Sequence, residues 1–190
     1  MVFCIVMDEN MRKVSIDLVK ANIFALVLLF VSAVVFLVPF FLIWREDSFS
    51  FGIPNFISGG LGVMCFLLLF AVGIAVHEFI HGMTWACCAK KGWKSISFGV
   101  IWKMLTPYCH CSEPLQVKAY VMGALMPCIL LGIIPSLIGL FIGWFTLMLW
   151  GILFISVAAG DIWIVWLLSK ETSAVMVLDH PSEAGFYVIE

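Results

Sequence analysis

The sequence predicts an all-α membrane protein with four transmembrane helices and a cytosolic loop that forms a small β-hairpin. Of its 190 residues, 64% are hydrophobic and 12% are charged, whereas soluble domains have about half and about a quarter of their residues in these classes. Four apolar stretches have the roughly 20 residues that a helix needs to cross a bilayer. Nearly all of the basic residues lie on one side of the predicted membrane. The length of the chain suits a single domain over residues 1–190.

The predicted spans are residues 21–43, 58–86, 119–142 and 145–169. The first span has no ionisable residue between Lys20 and Arg45. The second is longer than a bilayer requires, which predicts a tilt or an extension beyond the membrane. The third contains Pro127 and Pro135, so we expect it to be bent or broken. A short turn near Gly143 leads into the fourth.

The distribution of basic residues predicts the orientation. With four spans, both termini, the 87–118 loop and the 170–190 tail lie on one side of the membrane. That side has nine of the ten basic residues, and Arg45 is alone on the other. Cytoplasmic loops carry the excess of lysine and arginine, so both termini are predicted to be cytoplasmic. Seven irregularly spaced cysteines form no disulfide framework, as expected in the reducing cytosol.

The segments outside the spans give weaker patterns. Residues 95–102 and 105–111 nearly alternate and predict the β-hairpin, with an irregular loop as the alternative. Residues 8–20 mix charged and apolar side chains and predict a surface helix leading into the first span. The first residues show no basic segment with a cleavage site, so no removable signal peptide is predicted. A net charge of −2, with no basic run longer than Lys90-Lys91, argues against a nucleic-acid partner.

Four ionisable side chains lie inside the predicted spans. His77, Glu78 and His81 are in the second span, and Asp161 is in the fourth. Such residues are costly in a bilayer and are usually functional. His77 and His81 are four residues apart and share one helix face, and H-E-x-x-H on a helix is the zinc-binding arrangement in which the glutamate is the general base. The alternative is a pair of structural histidines beside a buried glutamate.

A zinc site that performs catalysis needs a third protein ligand and an open fourth position. Asp161 is the candidate by elimination, at a depth similar to that of His81, and Gly160 beside it would allow a neighbouring helix to approach closely. Glu113 and His110 on the loop are competing ligands, and a structural role for Asp161 is a further alternative. The Cys109-His110-Cys111 run could itself bind a metal, with a plain loop as the alternative.

These residues predict a hydrolytic reaction. A zinc ion held by His77, His81 and Asp161 would activate water. Glu78 would accept the water's proton and pass it to a leaving amine. The predicted substrate is a membrane-embedded or membrane-proximal peptide. The rival hypotheses are a non-catalytic membrane protein with a structural or partner-binding zinc site, and a metal transporter.

Several segments resemble one bacterial family. H-E-F-I-H-G, P-Y-C-H-C-S-E-P-L, L-M-P-C-I-L-L-G-I-I-P, A-A-G-D-I and D-H-P-S-E-A-G-F-Y-V are similar to the family described as putative zincin membrane metallopeptidases, over about residues 60–190. The chain more distantly resembles the site-two-protease class of intramembrane metalloproteases. The resemblance implies a bacterial inner-membrane (plasma-membrane) location, with His77 and His81 as metal ligands, Glu78 as the catalytic glutamate and Asp161 as the third ligand.

The chain departs from the site-two-protease class in two places. Ala124 stands where that class has an asparagine three residues before the proline, and Asp161 follows a glycine instead of preceding one. In that class an edge strand binds an extended substrate, which implies strand addition at 95–111 with Tyr108 and His110 near the active site. His110 could then stabilise an oxyanion, the alternative being an exposed loop histidine. His180 is expected in a turn.

Overall fold

The computed structural model describes residues 11–44, 60–101, 106–171, 174–180 and 185–190, and most of these residues are helical. Arg45 with most of the predicted 44–57 connection, and the first ten residues, on which the signal-peptide prediction depends, lie outside this part. The helices are α1 (Leu18–Ile43), α2 (Gly60–Cys88), α3 (Val117–Pro127), α4 (Ile134–Ile142), α5 (Phe145–Val157) and α6 (Ala159–Leu168). The strands are β1 (Met11–Ser15), β2 (Ile96–Ile101), β3 (Thr106–Cys111), β4 (Leu115–Gln116), β5 (Met176–Asp179) and β6 (Gly185–Ile189).

Three helices in the described residues are long and apolar enough to cross a membrane: Val19–Ile43, Gly62–Cys88 and Val117–Ile142. The bent pair α5 and α6 makes a fourth if the two helices form one span. Apolar side chains cover these helices on nearly all sides, and α1 leaves Leu26 and Phe30 about 70% exposed. Such surfaces suit lipid, where only helices satisfy every backbone polar group within one segment.

The last two spans are irregular. Between α3 and α4 the chain is π-helical over Cys128–Ile133, immediately after Pro127, and Pro135 lies in the first turn of α4. The prediction that the third span is broken is wrong, because Val117–Ile142 is one continuous span whose regular α-helix gives way to a π-helical segment after Pro127. The predicted turn at Gly143 is confirmed, with φ at 74°. The helices α5 and α6 meet at Ala158 with a bend of 45°.

The prediction of a surface helix over residues 8–20 is wrong. Met11–Ser15 is a strand that pairs with β6, and the helix begins only at Leu18. Asp17 caps that helix, because its carboxylate accepts the Val19 N–H at 3.1 Å. A distant strand, β6, satisfies the backbone of this segment, and a local amphipathic pattern cannot reveal such a partner.

The structure also contains a four-stranded antiparallel sheet in the order β1-β6-β5-β4, which was not predicted. In this sheet β1, near the N-terminus, and β5 and β6, near the C-terminus, come together with β4, which immediately precedes α3. The N-terminus of α1, the N-terminus of α3 and the C-terminus of α6 therefore meet at one end of the helical bundle. The sheet shares a buried core with α2 and α3, formed by Trp85, Tyr120, Val177, Phe186 and Val188.

The predicted hairpin is confirmed, because β2 and β3 pair in antiparallel register from Ile96↔Cys111 to Ile101↔Thr106. One face of the hairpin packs on α2 at Gly82. A Cβ atom at that glycine would lie 2.7 Å from Phe98 Cζ and 3.2 Å from Cys109 Sγ. The absence of a side chain at Gly82 therefore lets the hairpin lie directly against the helix that carries the H-E-x-x-H motif.

Candidate metal centre

Two helices bring three of the four intramembrane ionisable residues together. His77 and His81 lie one turn apart on α2, and each is only 3% exposed. Asp161 lies in the first turn of α6, just after the bend at Ala158. The first turn of a helix generally favours a carboxylate, because its N–H groups have no partner within the helix.

The polar atoms of these residues converge closely. His77 Nε2 lies 3.1 Å from Asp161 Oδ2, and His81 Nε2 lies 3.3 Å from Asp161 Oδ1. The two Nε2 atoms are 3.1 Å apart. One ligand atom from each residue lies within 4.8 Å of the others, and this is the one group of its kind in the described residues.

The spacing fits a tetrahedral zinc ion. Ligand atoms at about 2.0–2.1 Å from zinc are about 3.3 Å from one another in a tetrahedron. The two Nε2 atoms are 3.1 Å apart, and each lies 3.1–3.3 Å from one of the two Asp161 oxygens. His77 also has a buried Nδ1 with no hydrogen-bond partner. Two imidazoles and one carboxylate form a donor set that occurs in catalytic zinc sites.

The backbone of α3 orients His81. His81 Nδ1 lies 2.8 Å from the carbonyl oxygen of Gly123, and with Nδ1–H as the donor, Nε2 presents its lone pair to the cluster. That carbonyl is available because Pro127, four residues later, has no N–H to bond it within the helix. Sequence reasoning did not connect Pro127 with His81. The signal that could have identified this contact is a proline within a span, which leaves the carbonyl four residues before it without its helical partner.

Aromatic rings hold the other side of His81. Trp85 stacks on His81 with ring centroids 5.2 Å apart, and Tyr120 stacks on Trp85 at 5.4 Å. Trp85 Nε1–H donates to the Tyr120 carbonyl at 3.2 Å. A Cβ at Gly123 would lie only 2.0 Å from Trp85 Nε1. Only glycine fits beside this indole ring, so the position of His81 depends on the exact packing of α3 on α2.

Glu78 lies on the side of the cluster that faces the hairpin. It is partly buried and lies near His77, His81, Asp161 and the backbone N–H of Cys109 on β3. The carboxylate therefore lies between the three candidate ligands and the strand. A general base must lie within reach of the water whose proton it accepts.

The competing ligands lie elsewhere. Glu113 accepts the Lys91 N–H at 3.2 Å and pairs with the Lys91 ammonium at 3.5 Å. Cys111 is 1% exposed and its Sγ–H donates to the Glu113 carbonyl, while burial raises the pKa of this thiol to about 11. His110 lies beside Asp179. None of these residues belongs to the three-residue cluster.

Two minor expectations also have an outcome in the structure. The expected role of Gly160 in close helix approach is wrong, because this residue is exposed and nothing lies within 4 Å of where its Cβ would be. His180 directly follows β5, and its N–H donates to the Gly185 carbonyl at 3.1 Å, so it closes the β5–β6 connection. Its ring stacks on Tyr187.

The fold and the cluster together define a class: a helical protein of membrane type whose buried histidines and aspartate have the spacing of metal ligands. A family model described as "putative zincin peptidase" matches residues 70–176, a range that includes both histidines, Glu78 and Asp161. The chain belongs to this family. No curated protein and no solved structure matches the chain. The resemblance to the site-two-protease class stays a prediction.

Proposed function

We propose that the protein is a zinc-dependent membrane metallopeptidase that hydrolyses a peptide bond in a membrane-embedded or membrane-proximal substrate. His77, His81 and Asp161 hold the zinc ion, and Glu78 is the general base. The observation that carries this proposal is the convergence of three ligand atoms within 4.8 Å, beside a glutamate that belongs to the same motif. Membership of a zincin family supports the reaction class.

The protein's own side chains account for the proton movements. When bound, zinc supplies the Lewis acid that activates water and polarises the scissile carbonyl. Glu78 accepts one proton as the water oxygen bonds to the carbonyl carbon. It then delivers this proton to the amide nitrogen as the C–N bond breaks. The products are a carboxylic acid and an amine, and Glu78 returns to its starting state.

We propose four membrane crossings, with α5 and α6 as one bent span, in a bacterial inner membrane with both termini in the cytoplasm. His81 lies seven residues and His77 eleven residues before the end of α2 at Cys88, which is about 10–17 Å at 1.5 Å per residue. The nine basic residues outside the spans favour that end as the cytoplasmic one. Water and substrate would thus reach the site from the cytoplasm.

The free edge of β3 is the proposed substrate-binding surface. An extended peptide added to this edge would pass beside Glu78, because the Cys109 N–H on that edge already contacts its carboxylate. Main-chain hydrogen bonds to the carbonyl groups on this edge would hold the peptide, since Pro107 has no N–H and the Cys111 N–H is bonded to Asp179. The peptide's side chains would alternate between the two faces of the hairpin. Tyr108 follows the alternation away from α2 and would contact the peptide from one face.

The second candidate is a non-catalytic zinc site that stabilises the fold or binds a partner. Glu78 argues against it, since a structural site needs no general base beside its ligands. A transporter is less consistent with the structure, because the described residues contain a single cluster of possible metal ligands and transport requires a path of polar groups.

The test compares detergent-purified wild type with three variants. Wild type should bind close to one zinc per chain and cleave members of a peptide library, detected by mass spectrometry. Asp161→Ala should lose zinc, and Gly160→Ala is the matched control because its new methyl group meets no neighbour. Glu78→Gln should keep zinc and lose turnover by a factor of about 10²–10⁴. Zinc retained by Asp161→Ala would refute the ligand set, and full turnover by Glu78→Gln would refute the mechanism.

A further inference from the structure

An exposed pair of aromatic rings lies on the side of α2 that faces away from the helical bundle. Trp93 stacks on Phe79 with ring centroids 5.6 Å apart, and the two residues are 50% and 49% exposed. Phe79 lies nine residues before the end of α2 at Cys88, which is about 14 Å at 1.5 Å per residue. The chain that leaves α2 therefore turns back along this helix before it enters β2.

A tight turn places Trp93 on the helix. Gly92 has φ at 57°, a left-handed conformation that glycine adopts at little cost, and its N–H donates to the Ala89 carbonyl at 3.1 Å. The short 3₁₀ helix Gly92–Ser95 follows, and Ser95 at its end is 2% exposed. Because the residues on both sides of Trp93 are fixed in this way, the backbone holds the half-exposed indole ring on the surface of α2.

The aromatic pair continues an exposed apolar stripe on α2. Residues spaced by three or four share one side of a helix, and four such residues here are 39–59% exposed: Val72, Val76, Phe79 and Met83. Trp93 widens this stripe towards the hairpin, where Phe98 lies against Gly82 and is 51% exposed. A continuous apolar surface of this kind is unusual in water, whereas tryptophan is frequent where a membrane meets water.

Three lysines lie next to Trp93 in the sequence. The Lys91 ammonium lies 3.5 Å from the Glu113 carboxylate. Lys90 and Lys94 are exposed, and neither has an ion pair with any residue that the structure describes. Anionic lipids attract basic residues at the membrane surface, and lysine can extend its ammonium group to the headgroups while its stem lies along apolar surface. Trp93 with Lys90 and Lys94 therefore has the composition of a site at the boundary of an anionic membrane.

We propose that Phe79, Trp93, Lys90 and Lys94 form a binding surface for anionic phospholipid, with the two rings beside the upper part of the acyl chains and the two ammonium groups at the phosphates. Lipid is the favoured occupant because this surface is continuous with the apolar stripe of α2 and its unpaired charges are positive. Phe79 directly follows Glu78, so the contact holds the proposed general base just below the headgroups. The scissile bond then lies where a substrate's span ends, a consequence that rests on the proposed peptidase function, whereas the lipid contact itself does not.

The experiment uses the full-length protein labelled with 5-fluorotryptophan, in nanodiscs of phosphatidylcholine and phosphatidylglycerol in equal parts. The ¹⁹F NMR signal of Trp93 is assigned from its loss in Trp93→Phe. A spin label near the top of a lipid acyl chain should broaden this signal, and a water-soluble nickel chelate should not. Trp85, which is 5% exposed, is the internal control and should be broadened less by the lipid label. Broadening of Trp93 by the chelate alone, or by neither agent, overturns the inference.

The same signal measures the preference for anionic headgroups. Spin-labelled phosphatidylglycerol should broaden it more than spin-labelled phosphatidylcholine does. Lys90→Gln and Lys94→Gln should each lower the ratio of the two broadenings by about two- to fivefold, the larger value being that expected for one basic residue at an anionic surface. Lys13→Gln removes an equal charge from an exposed position on β1 and should leave the ratio unchanged. A wild-type ratio of about one, or an equal loss in Lys13→Gln, overturns this inference.

The two proposals can fail separately, because these NMR measurements involve neither zinc nor turnover. A zinc-loaded protein that binds lipid at Trp93 and cleaves no peptide overturns the proposed function alone. A protein that cleaves peptides while its Trp93 signal responds only to the nickel chelate overturns the lipid-binding surface alone.

Discussion

Replacement of Gly123 by alanine would test whether the packing of α3 controls the proposed metal site. A Cβ at this position would lie 2.0 Å from Trp85 Nε1, whereas ordinary contacts begin at 3.4 Å, so the indole ring would have to move by about 1.4 Å. Trp85 cannot move alone, because it is stacked between His81 and Tyr120. We therefore expect the methyl group to displace the ring of His81.

The expected effect follows from these contacts. Overpacking of this size costs about 1–3 kcal/mol, and loss of the Trp85 hydrogen bond to the Tyr120 carbonyl costs about 1 kcal/mol more. Disturbing the group that orients a metal-binding histidine weakens metal affinity by about 10–100-fold. Gly123→Ala should therefore bind zinc about 10–100-fold more weakly, although all three proposed ligands are intact.

The assay is a competition titration of metal-stripped protein in detergent against a fluorescent zinc chelator. Gly160→Ala is the matched control: it also replaces a glycine by alanine in a helix near the site, but its Cβ meets nothing within 4 Å. It should bind zinc with wild-type affinity. Wild-type affinity in Gly123→Ala, or an equal loss in Gly160→Ala, would refute the argument that the indole ring transmits the change.

Three further predictions concern the proline, the hairpin and the thiols. Pro127→Ala restores an N–H that competes for the Gly123 carbonyl, so zinc affinity should fall about tenfold in the same titration; an unchanged affinity would show that this carbonyl needs no proline. Gly82→Ala places a methyl group 2.7 Å from a phenyl ring of β2, so peptide turnover should fall while zinc is retained, and full turnover would argue against the hairpin as substrate surface. Cys111, buried and with a thiol pKa raised to about 11, should react with N-ethylmaleimide at pH 8 at least about 100-fold more slowly than exposed Cys88; comparable rates by mass spectrometry would contradict the packing of the hairpin on α2.

The helical part of the fold could be predicted because lipid leaves few choices. A span must satisfy its own backbone, so the length of an apolar stretch identifies it with small errors at the ends. The grouping of His77 with His81 follows from the helical period alone. Asp161 could be selected because ionisable residues are rare in spans; its role as a ligand stays a prediction, although its position beside both histidines agrees with that role.

The sheet could not be predicted because its pairings are not local. Met11 pairs with Ile189, near the opposite end of the chain, and the mixed pattern around residues 11–15 resembles an amphipathic helix as much as a strand. The strands of the tail have four and five residues, too few for a reliable alternation. The expectation that Gly160 allows close helix approach was wrong because contacts between helices are also not local. A glycine in an apolar stretch does not show whether it faces another helix or the surface.

The unpredicted sheet matters for the site because it supports His81 through a continuous stack of rings. His81 contacts Trp85, Trp85 contacts Tyr120, and Tyr120 contacts Phe186 on β6 with centroids 6.2 Å apart. Phe186 is fully buried, and β6 is held between β1 and β5. A metal-binding ring keeps its geometry only when the side chains behind it are immobile. The orientation of His81 is therefore a property of α2, α3 and both ends of the chain together, and the isolated H-E-x-x-H helix does not contain it.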